Sequence, residues 1–197
     1  MPAVHHTLPI PDHAALRKDA GKKVLEELGR LARTDERFRR VCEIVAQADL
    51  EIEAHVEERN QAAMSLWFYD GVRGLNRVLG ISAGAYDEMR RLALVGDRLA
   101  PINRAGERMN AEELREAARR AGVEYVETAA ETLPALAETV SVATGRRKAA
   151  LPVLQDTALA LMEEPYSMST EQIGELGGVT AKYVRDSKNK AIKRRGY

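Results

Sequence analysis

The chain has 197 residues, 45% of them hydrophobic and only 5% aromatic, and its 30 basic and 30 acidic side chains cancel. A chain of this length forms one large or two small domains, and its zero formal net charge excludes a protein that binds polyanions with its whole surface. Ala, Leu, Glu and Arg are abundant, and these residues lose little side-chain freedom in a helix. We therefore expect an all-α fold, built as a multi-helix bundle.

The sequence lacks the signatures of several functional classes. The lone Cys42 cannot form an internal disulfide, which fits a reducing cytoplasm, and no run of about 18 apolar residues predicts a membrane span. Neither a phosphate-binding glycine loop nor a nucleophile motif is present. We expect a cytoplasmic protein that is not an enzyme, with no catalytic residues, no metal and no cofactor. The four histidines, expected at the surface because they lack metal-ligand spacing, are His5, His6, His13 and His55.

The first part of the chain predicts an arm, a helix and then a much longer helix. Residues 1–11 include three prolines and predict a flexible arm. Apolar residues then recur at helical spacing over 12–32 and again over 34–69, where neither Gly nor Pro interrupts them. A helix as long as 34–69 serves either as the backbone of a bundle or as the seam of a homodimer.

Glycines mark the ends of the next predicted helices and the boundary between two predicted domains. Gly71 ends the long helix, a short helix then runs to Leu79, and another helix follows after a turn. Residues 96–109 contain two glycines and a proline and predict a linker. The sequence thus predicts one helical domain over 12–95 and a second over 110–197.

The second predicted domain consists of several shorter helices. Asn110 begins a helix with the sequence of a capping box. Residues 123–144 predict a helix that Pro134 either kinks or restarts. Gly145–Lys148 predicts a basic turn, after which Pro152 begins another helix. We find no long internal repeat in the sequence.

The segment 169–195 has the internal pattern of a helix-turn-helix. This motif needs two apolar residues that pack its helices together, a small residue where the helices cross, and a glycine whose positive φ makes the turn. Each helix also needs a side chain that caps its N-terminus. The residues that meet these demands are Ser169, Ile173, Gly174, Gly178, Thr180 and Val184.

The second helix of this pattern is strongly basic. Residues 182–197 hold seven cations and one acid, and such a face neutralises DNA phosphates. Lys182, Arg185 and Asn189 occupy the positions that reach base edges or flanking phosphates in the major groove. The alternative is a helical hairpin with a solvated basic tail. The predicted DNA contacts are Thr180, Lys182, Tyr183, Arg185, Lys188, Asn189, Lys190, Lys193, Arg194 and Arg195.

The same segment resembles the region-four DNA-binding domain of bacterial primary sigma factors. The resemblance implies major-groove binding by Lys182, Arg185 and Asn189. The chain lacks the aromatic-rich segment with which those factors melt promoter DNA, so the resemblance favours a regulator with a similar domain over a complete sigma factor. The residues that carry the resemblance are Ile173-Gly174, Gly178-Val179-Thr180, Val184-Arg185 and Lys190-Ala191.

A second helix-turn-helix pattern lies earlier in the chain. Glu58–Leu66 followed by Leu75–Met89 is similar to units of actinobacterial and phage regulators, in which a long helix ends in Arg-x-x-Ala-Ala-x-x-Leu. Its groove positions include Gly84, Asp87 and Glu88, and carboxylates repel the phosphate backbone. DNA contact and a packing or protein-binding role therefore both stay open. The residues that would contact DNA here are Arg73, Arg77, Ser82, Arg90 and Arg91.

Together these features predict a sequence-specific, DNA-binding transcriptional regulator of bacterial or phage origin with two helix-turn-helix units. Its expected partners are double-stranded DNA and, through the long helix 34–69, a second copy. One alternative is a protein-interaction module that engages RNA polymerase or another regulator through Glu124, Glu127 and Glu131. The other is a structural DNA-binding protein for partition, packaging or recombination.

Overall fold

The computed structural model of the chain describes residues 8–99 and 109–196. All regular structure in these two ranges is helical, which confirms the predicted all-α fold. Residues 1–7 of the predicted arm and 100–108 of the predicted linker lie outside the described residues. The helices are α1 His13–Gly29, α2 Thr34–Tyr69, α3 Leu75–Leu79, α4 Ala83–Val95, α5 Ala111–Ala121, α6 Ala129–Met162, α7 Thr170–Gly177 and α8 Ala181–Arg195.

The helices form two compact units, and each unit combines segments that are distant in the sequence. The first unit comprises the described residues of Met1–His13 and Glu53–Val140, and the second those of Ala14–Ile52 and Ser141–Tyr197. This division differs from the consecutive domains expected from the sequence. The physical reason is that α2 and α6 are long enough for each to contribute a part to both units.

The core of the second unit joins α1, the start of α2, the end of α6, α7 and α8. Phe38 and Val41 of α2, Leu154 of α6, Ile173 of α7 and Val184 of α8 are each at most 1% exposed. Full burial of one such side chain contributes roughly 1.5–3 kcal/mol. The two C-terminal helices are therefore part of a shared core rather than an appendage.

The core of the first unit joins the end of α2 to α3, α4, α5 and the start of α6. Trp67 and Leu133 are at most 1% exposed there. The segment before α6 is fixed by two hydrogen bonds: the Ser65 hydroxyl accepts from the Val126 N–H at 2.8 Å, and the Tyr69 hydroxyl donates to the Val123 carbonyl at 2.8 Å.

The predicted helix 34–69 is confirmed as α2, Thr34–Tyr69. Its apolar residues are buried in the cores of the chain's own two units, where Phe38, Ala48 and Leu66 are at most 1% exposed. Leu50 is the large hydrophobic residue that α2 leaves exposed, at 66%. The structure thus uses α2 as a bundle backbone, the first of the two predicted roles.

The predicted turn at Gly145–Lys148 and the predicted helix start at Pro152 are wrong, because both lie inside α6, which is one continuous helix. Gly145 lies inside this helix, and a Cβ there would stand 2.6 Å from the carbonyl oxygen of Arg17 in α1. The glycine therefore permits close helix packing and does not make a turn. Arg146 and Arg147, expected in a basic turn, form ion pairs with Glu51 and Asp49 of α2.

His13 is a second correction. It was expected at the surface, yet it is 8% exposed at the start of α1. Its Nε2 atom lies 2.8 Å from the carbonyl oxygen of Val78, within hydrogen-bonding distance. A Cβ on Gly80 would overlap the His13 ring. This histidine therefore packs against the turn between α3 and α4.

Candidate nucleic-acid interface

The start of α7 is fixed by the predicted capping box. The Ser169 hydroxyl accepts from the Gln172 N–H at 3.2 Å, and the Gln172 side-chain oxygen accepts from the Ser169 N–H at 2.9 Å. Two N–H groups that the first helical turn leaves unpaired are thus satisfied. This cap sets where α7 begins.

The turn between α7 and α8 also has the predicted geometry. Gly178 adopts a φ of 65°, a conformation that residues with a Cβ rarely adopt. The Val179 N–H donates to the Gly174 carbonyl at 2.9 Å. A Cβ on Gly174 would lie 2.7 Å from the Val179 carbonyl oxygen, so only glycine fits where the chain crosses itself. Ile173 and Val184 are fully buried on the two sides of this crossing.

The helix α8 has one buried and one exposed face. Its buried residues are Val184, Ser187 and Ala191. At 100° per residue, Lys182, Asn189 and Lys193 project from the opposite side, and Arg185 lies beside them. These four side chains are exposed, as the sequence predicted for the residues it assigned to the groove. Thr180 caps the helix by accepting from the Tyr183 N–H at 3.1 Å.

The cations of α8 fall into two groups. Arg194 and Arg195 form ion pairs with Asp156 of α6 at 2.8 and 3.2 Å, and Arg194 also donates to the Pro152 carbonyl at 3.2 Å. In the part of the chain that the structure describes, Asp156 thus engages both terminal arginines. Five other cations of α8 have no ion pair among the described residues: Lys182, Arg185, Lys188, Lys190 and Lys193.

Tyr183 is only half exposed and packs against the core of the second unit. Burial raises the pKa of its hydroxyl above the ordinary value, so the phenol stays neutral at neutral pH. The sequence assigned this residue to DNA contact. In the structure this side chain is partly buried and packs against the protein's own core.

An acidic side chain lies close to the basic face. Hydrogen bonds from its own backbone and from the hydroxyls of Thr170 and Ser169 lower the pKa of Glu171, and the charge of Arg185 adds to this effect. The carboxylate is therefore ionised at neutral pH and lies in the field of Arg185. Glu171 and Glu175, both exposed, make the α7 side of the pair acidic where the α8 side is basic.

The α7–α8 pair is docked on α2, a contact that the sequence reasoning missed. A Cβ on Gly177 would lie 2.6 Å from a ring carbon of Phe38 and 2.8 Å from the sulfur of Cys42. The adjacent glycines Gly177 and Gly178 could have indicated this contact, because the turn needs only one of them. The second glycine allows the end of α7 to contact α2.

The inner pair, α3 and α4, repeats the geometry of the α7–α8 pair with a constant offset of 98 residues. The Ile81 N–H donates to the Asn76 carbonyl at 3.1 Å, as Val179 donates to Gly174. Ser82 caps α4 at 3.1 Å, as Thr180 caps α8. Gly80, with a φ of 65°, corresponds to Gly178.

The order of elements repeats as well. A helix, a helix of 34 or 36 residues and a helix pair occur first as α1–α4 and then as α5–α8. The sequence showed no long repeat because the side chains differ, whereas the order of the helices is the same. The structure therefore shows an internal repeat of about half the chain.

The two pairs differ in their exposed side chains. At the positions of Lys182 and Arg185 in α8, the helix α4 carries Gly84 and Asp87. The position of Lys193 is taken by Val95, which is 60% exposed. The exposed face of α4 is therefore much less basic than that of α8, although Arg91 stands at the position of Asn189.

Three of the four arginines predicted as inner DNA contacts have other partners. Arg90 lies 5.3 Å from the Trp67 ring centroid and 5.2 Å from that of Tyr86, and it forms an ion pair with Asp87. Arg73 lies 5.5 Å from the Trp67 ring centroid. Arg91 is half exposed and donates to the Arg98 carbonyl at 3.5 Å, while Arg77 is exposed. Ser82 uses its hydroxyl as the helix cap.

The described residues hold neither a metal site nor a helix that could span a membrane. No group of three or more His, Cys, Asp or Glu side chains is placed to hold a metal ion. No described helix is both long enough and apolar enough to cross a membrane.

Comparison with known proteins found no matching family model, no matching curated protein and no matching solved structure.

Proposed function

We propose that the protein binds double-stranded DNA and regulates transcription, with α7 and α8 acting as a helix-turn-helix. The observation that carries this proposal is the outer face of α8. Lys182, Arg185, Asn189 and Lys193 project from it, opposite the buried residues, on a helix whose start and turn are fixed by caps. The major groove of B-DNA admits one α-helix, so a rigid helix with an exposed basic face suits it.

The side chains on this face suit two tasks. Arg185 can bind a guanine edge through two hydrogen bonds, and Asn189 can do the same with adenine. Lys182 and Lys193 are point charges suited to phosphates, which supply affinity without sequence information. The face therefore offers both specific and nonspecific contacts.

The proposal is tested by selecting duplexes from a random pool with the full chain. Binding of the selected duplex and of a scrambled duplex is then measured by fluorescence anisotropy over a salt series. We expect log K to fall with log salt by about 0.9 per phosphate neutralised. Arg185→Ala should lose about 1–3 kcal/mol for the selected duplex and far less for the scrambled one.

Lys23→Ala is the matched control, because Lys23 is an exposed cation of the same unit on α1. It should leave both affinities and the salt slope unchanged. No salt-sensitive binding to any duplex would refute the proposal. Equal affinity for selected and scrambled duplexes would instead identify a structural DNA-binding protein.

A further inference from the structure

The end of α4 carries an unusual concentration of exposed apolar side chains. Leu92 is 43% exposed, Val95 60% and Leu99, just beyond the helix, 84%. Among the described residues these are three of the eight large hydrophobic side chains exposed on the surface. We refer to Leu92, Val95 and Leu99 as the apolar patch.

The internal repeat shows that exposure at these positions is a property of the fold. The counterparts of Leu92 and Val95 in α8 are Lys190 and Lys193, which are also exposed. The same outward positions therefore carry charges in one helix pair and hydrocarbon in the other. Single exposed apolar side chains such as Leu50 are common on protein surfaces, whereas three of them close together at the end of one helix point to a surface that is covered.

The charges around the apolar patch indicate what covers it. Glu88 and Asp97 are exposed acids, and Arg91 and Arg98 are half-exposed or exposed bases. Two charges of each sign leave the surroundings neutral, so a surface of either uniform sign, including DNA, gains nothing from them. In a second copy of the same surface, an arginine can face each acid, and an apolar side chain can face each apolar side chain.

We propose that α4 is a self-association surface, on which the apolar patch of one chain contacts the same patch of a second copy. Such an isologous contact is self-complementary and closes at two chains. The corresponding face of α8 could not pair in this way, because its lysines and Arg185 would repel their own copies. The chain has thus kept two similar helix pairs for two different tasks.

A consequence for DNA follows, and it rests on the proposed function, whereas the self-association does not. Two associated chains present two copies of α8. The selected DNA site should then contain two related half-sites, as sites of dimeric helix-turn-helix proteins do. The inner helix pair therefore strengthens DNA binding by holding two chains together and not by contacting bases.

The test is sedimentation equilibrium of the full chain at micromolar concentrations, without DNA. We expect the wild type to be in a monomer–dimer equilibrium and Val95→Glu or Leu92→Glu to weaken association at least tenfold. Leu50→Glu is the matched control, since Leu50 is a 66% exposed leucine on α2, outside the patch. It should associate like the wild type, and circular dichroism should show native helix content in all three variants.

A wild-type chain that stays monomeric, or Val95→Glu that dimerises like the wild type, would overturn this inference. So would Val95→Glu that keeps its association but loses affinity for a single half-site, because α4 would then contact DNA. Failure of the proposed function looks different: the chain would dimerise through the patch, and no duplex would bind. Arg185→Ala should separate the two properties, losing specific DNA binding while dimerising normally.

Discussion

The Oδ1 atom of Asp156 in α6 lies 2.8 Å from the Nη2 atom of Arg194 in α8. The same oxygen lies 3.2 Å from Nη2 of Arg195. One carboxylate thus occupies two of the cations that the sequence assigned to DNA. A DNA phosphate would have to compete with Asp156 for both guanidinium groups.

Asp156→Asn should therefore strengthen nonspecific DNA binding. It frees Arg194 and Arg195 for phosphates, so the slope of log K against log salt should steepen by up to about 0.9 for each. The side chains in these pairs are 39–43% exposed, and exposed pairs contribute little to folding, so the melting temperature should change little.

Anisotropy with a scrambled duplex over a salt series measures this slope. Asp186→Asn is the matched control, because Asp186 is an exposed acid on α8 with no ion pair among the described residues. It should raise affinity without changing the number of cations that reach the DNA. An unchanged slope in Asp156→Asn would show that the two arginines do not exchange partners.

Gly174→Ala should destabilise the fold. Its Cβ would lie 2.7 Å from the Val179 carbonyl oxygen, a backbone atom that cannot move without opening the turn. We expect a loss of about 1–3 kcal/mol in the free energy of unfolding, measured by urea denaturation. Gly29→Ala is the matched control, because a Cβ at Gly29 meets nothing within 4 Å, and its stability should stay the same or rise. Equal stability of both variants would contradict the role of Gly174.

Local sequence signals predicted the parts of the fold that depend on local chemistry. The helix α2 was placed correctly because no Gly or Pro interrupts its 36 residues. The capping boxes at Asn110 and Ser169 fixed two helix starts, because the interacting groups are three residues apart. The exposed face of α8 followed from helical periodicity in the same way.

Contacts between distant segments account for what the sequence did not predict. Gly145 signals a turn by itself, and only the approach of Arg17 explains it as a helix crossing. Pro152 lies within α6 although it lacks one backbone N–H, because the buried Ala150 and Leu154 on either side of it hold the helix in the core. The pairing of Arg194 with Asp156 joins residues 38 positions apart, and no local pattern predicts it.

The environment of Cys42 predicts a pH dependence of stability. Burial raises the pKa of its thiol from 9.0 to about 12, since the native site disfavours the thiolate. The unfolded chain therefore releases this proton at lower pH than the folded one. Stability should be fully retained below pH 9 and should fall as the pH rises from 9 towards 12.

Urea denaturation between pH 8 and 11, compared with Cys42→Ala, measures this contribution. The free energy of unfolding of the variant should fall less steeply over that range, because the thiol that titrates is gone. Native protein should also react slowly with iodoacetamide at pH 8, and urea-unfolded protein quickly. A native rate equal to the unfolded rate would contradict the burial of this thiol.

His13 should be important for the stability of the first unit, although the sequence predicted it at the surface. Its ring packs on Gly80, and its Nε2 atom lies 2.8 Å from the Val78 carbonyl oxygen. His13→Ala removes both the ring and this hydrogen bond, so the free energy of unfolding should fall by about 1–3 kcal/mol. His55→Ala, which replaces a half-exposed histidine on α2, is the matched control and should stay within about 0.5 kcal/mol of the wild type.

Because His13 contacts the turn that precedes α4, hydrogen exchange at Ile81 should accelerate in His13→Ala. Exchange at Val179, its counterpart in the second unit, should not. Equal acceleration at both positions would mean that His13 supports the whole fold and not this turn.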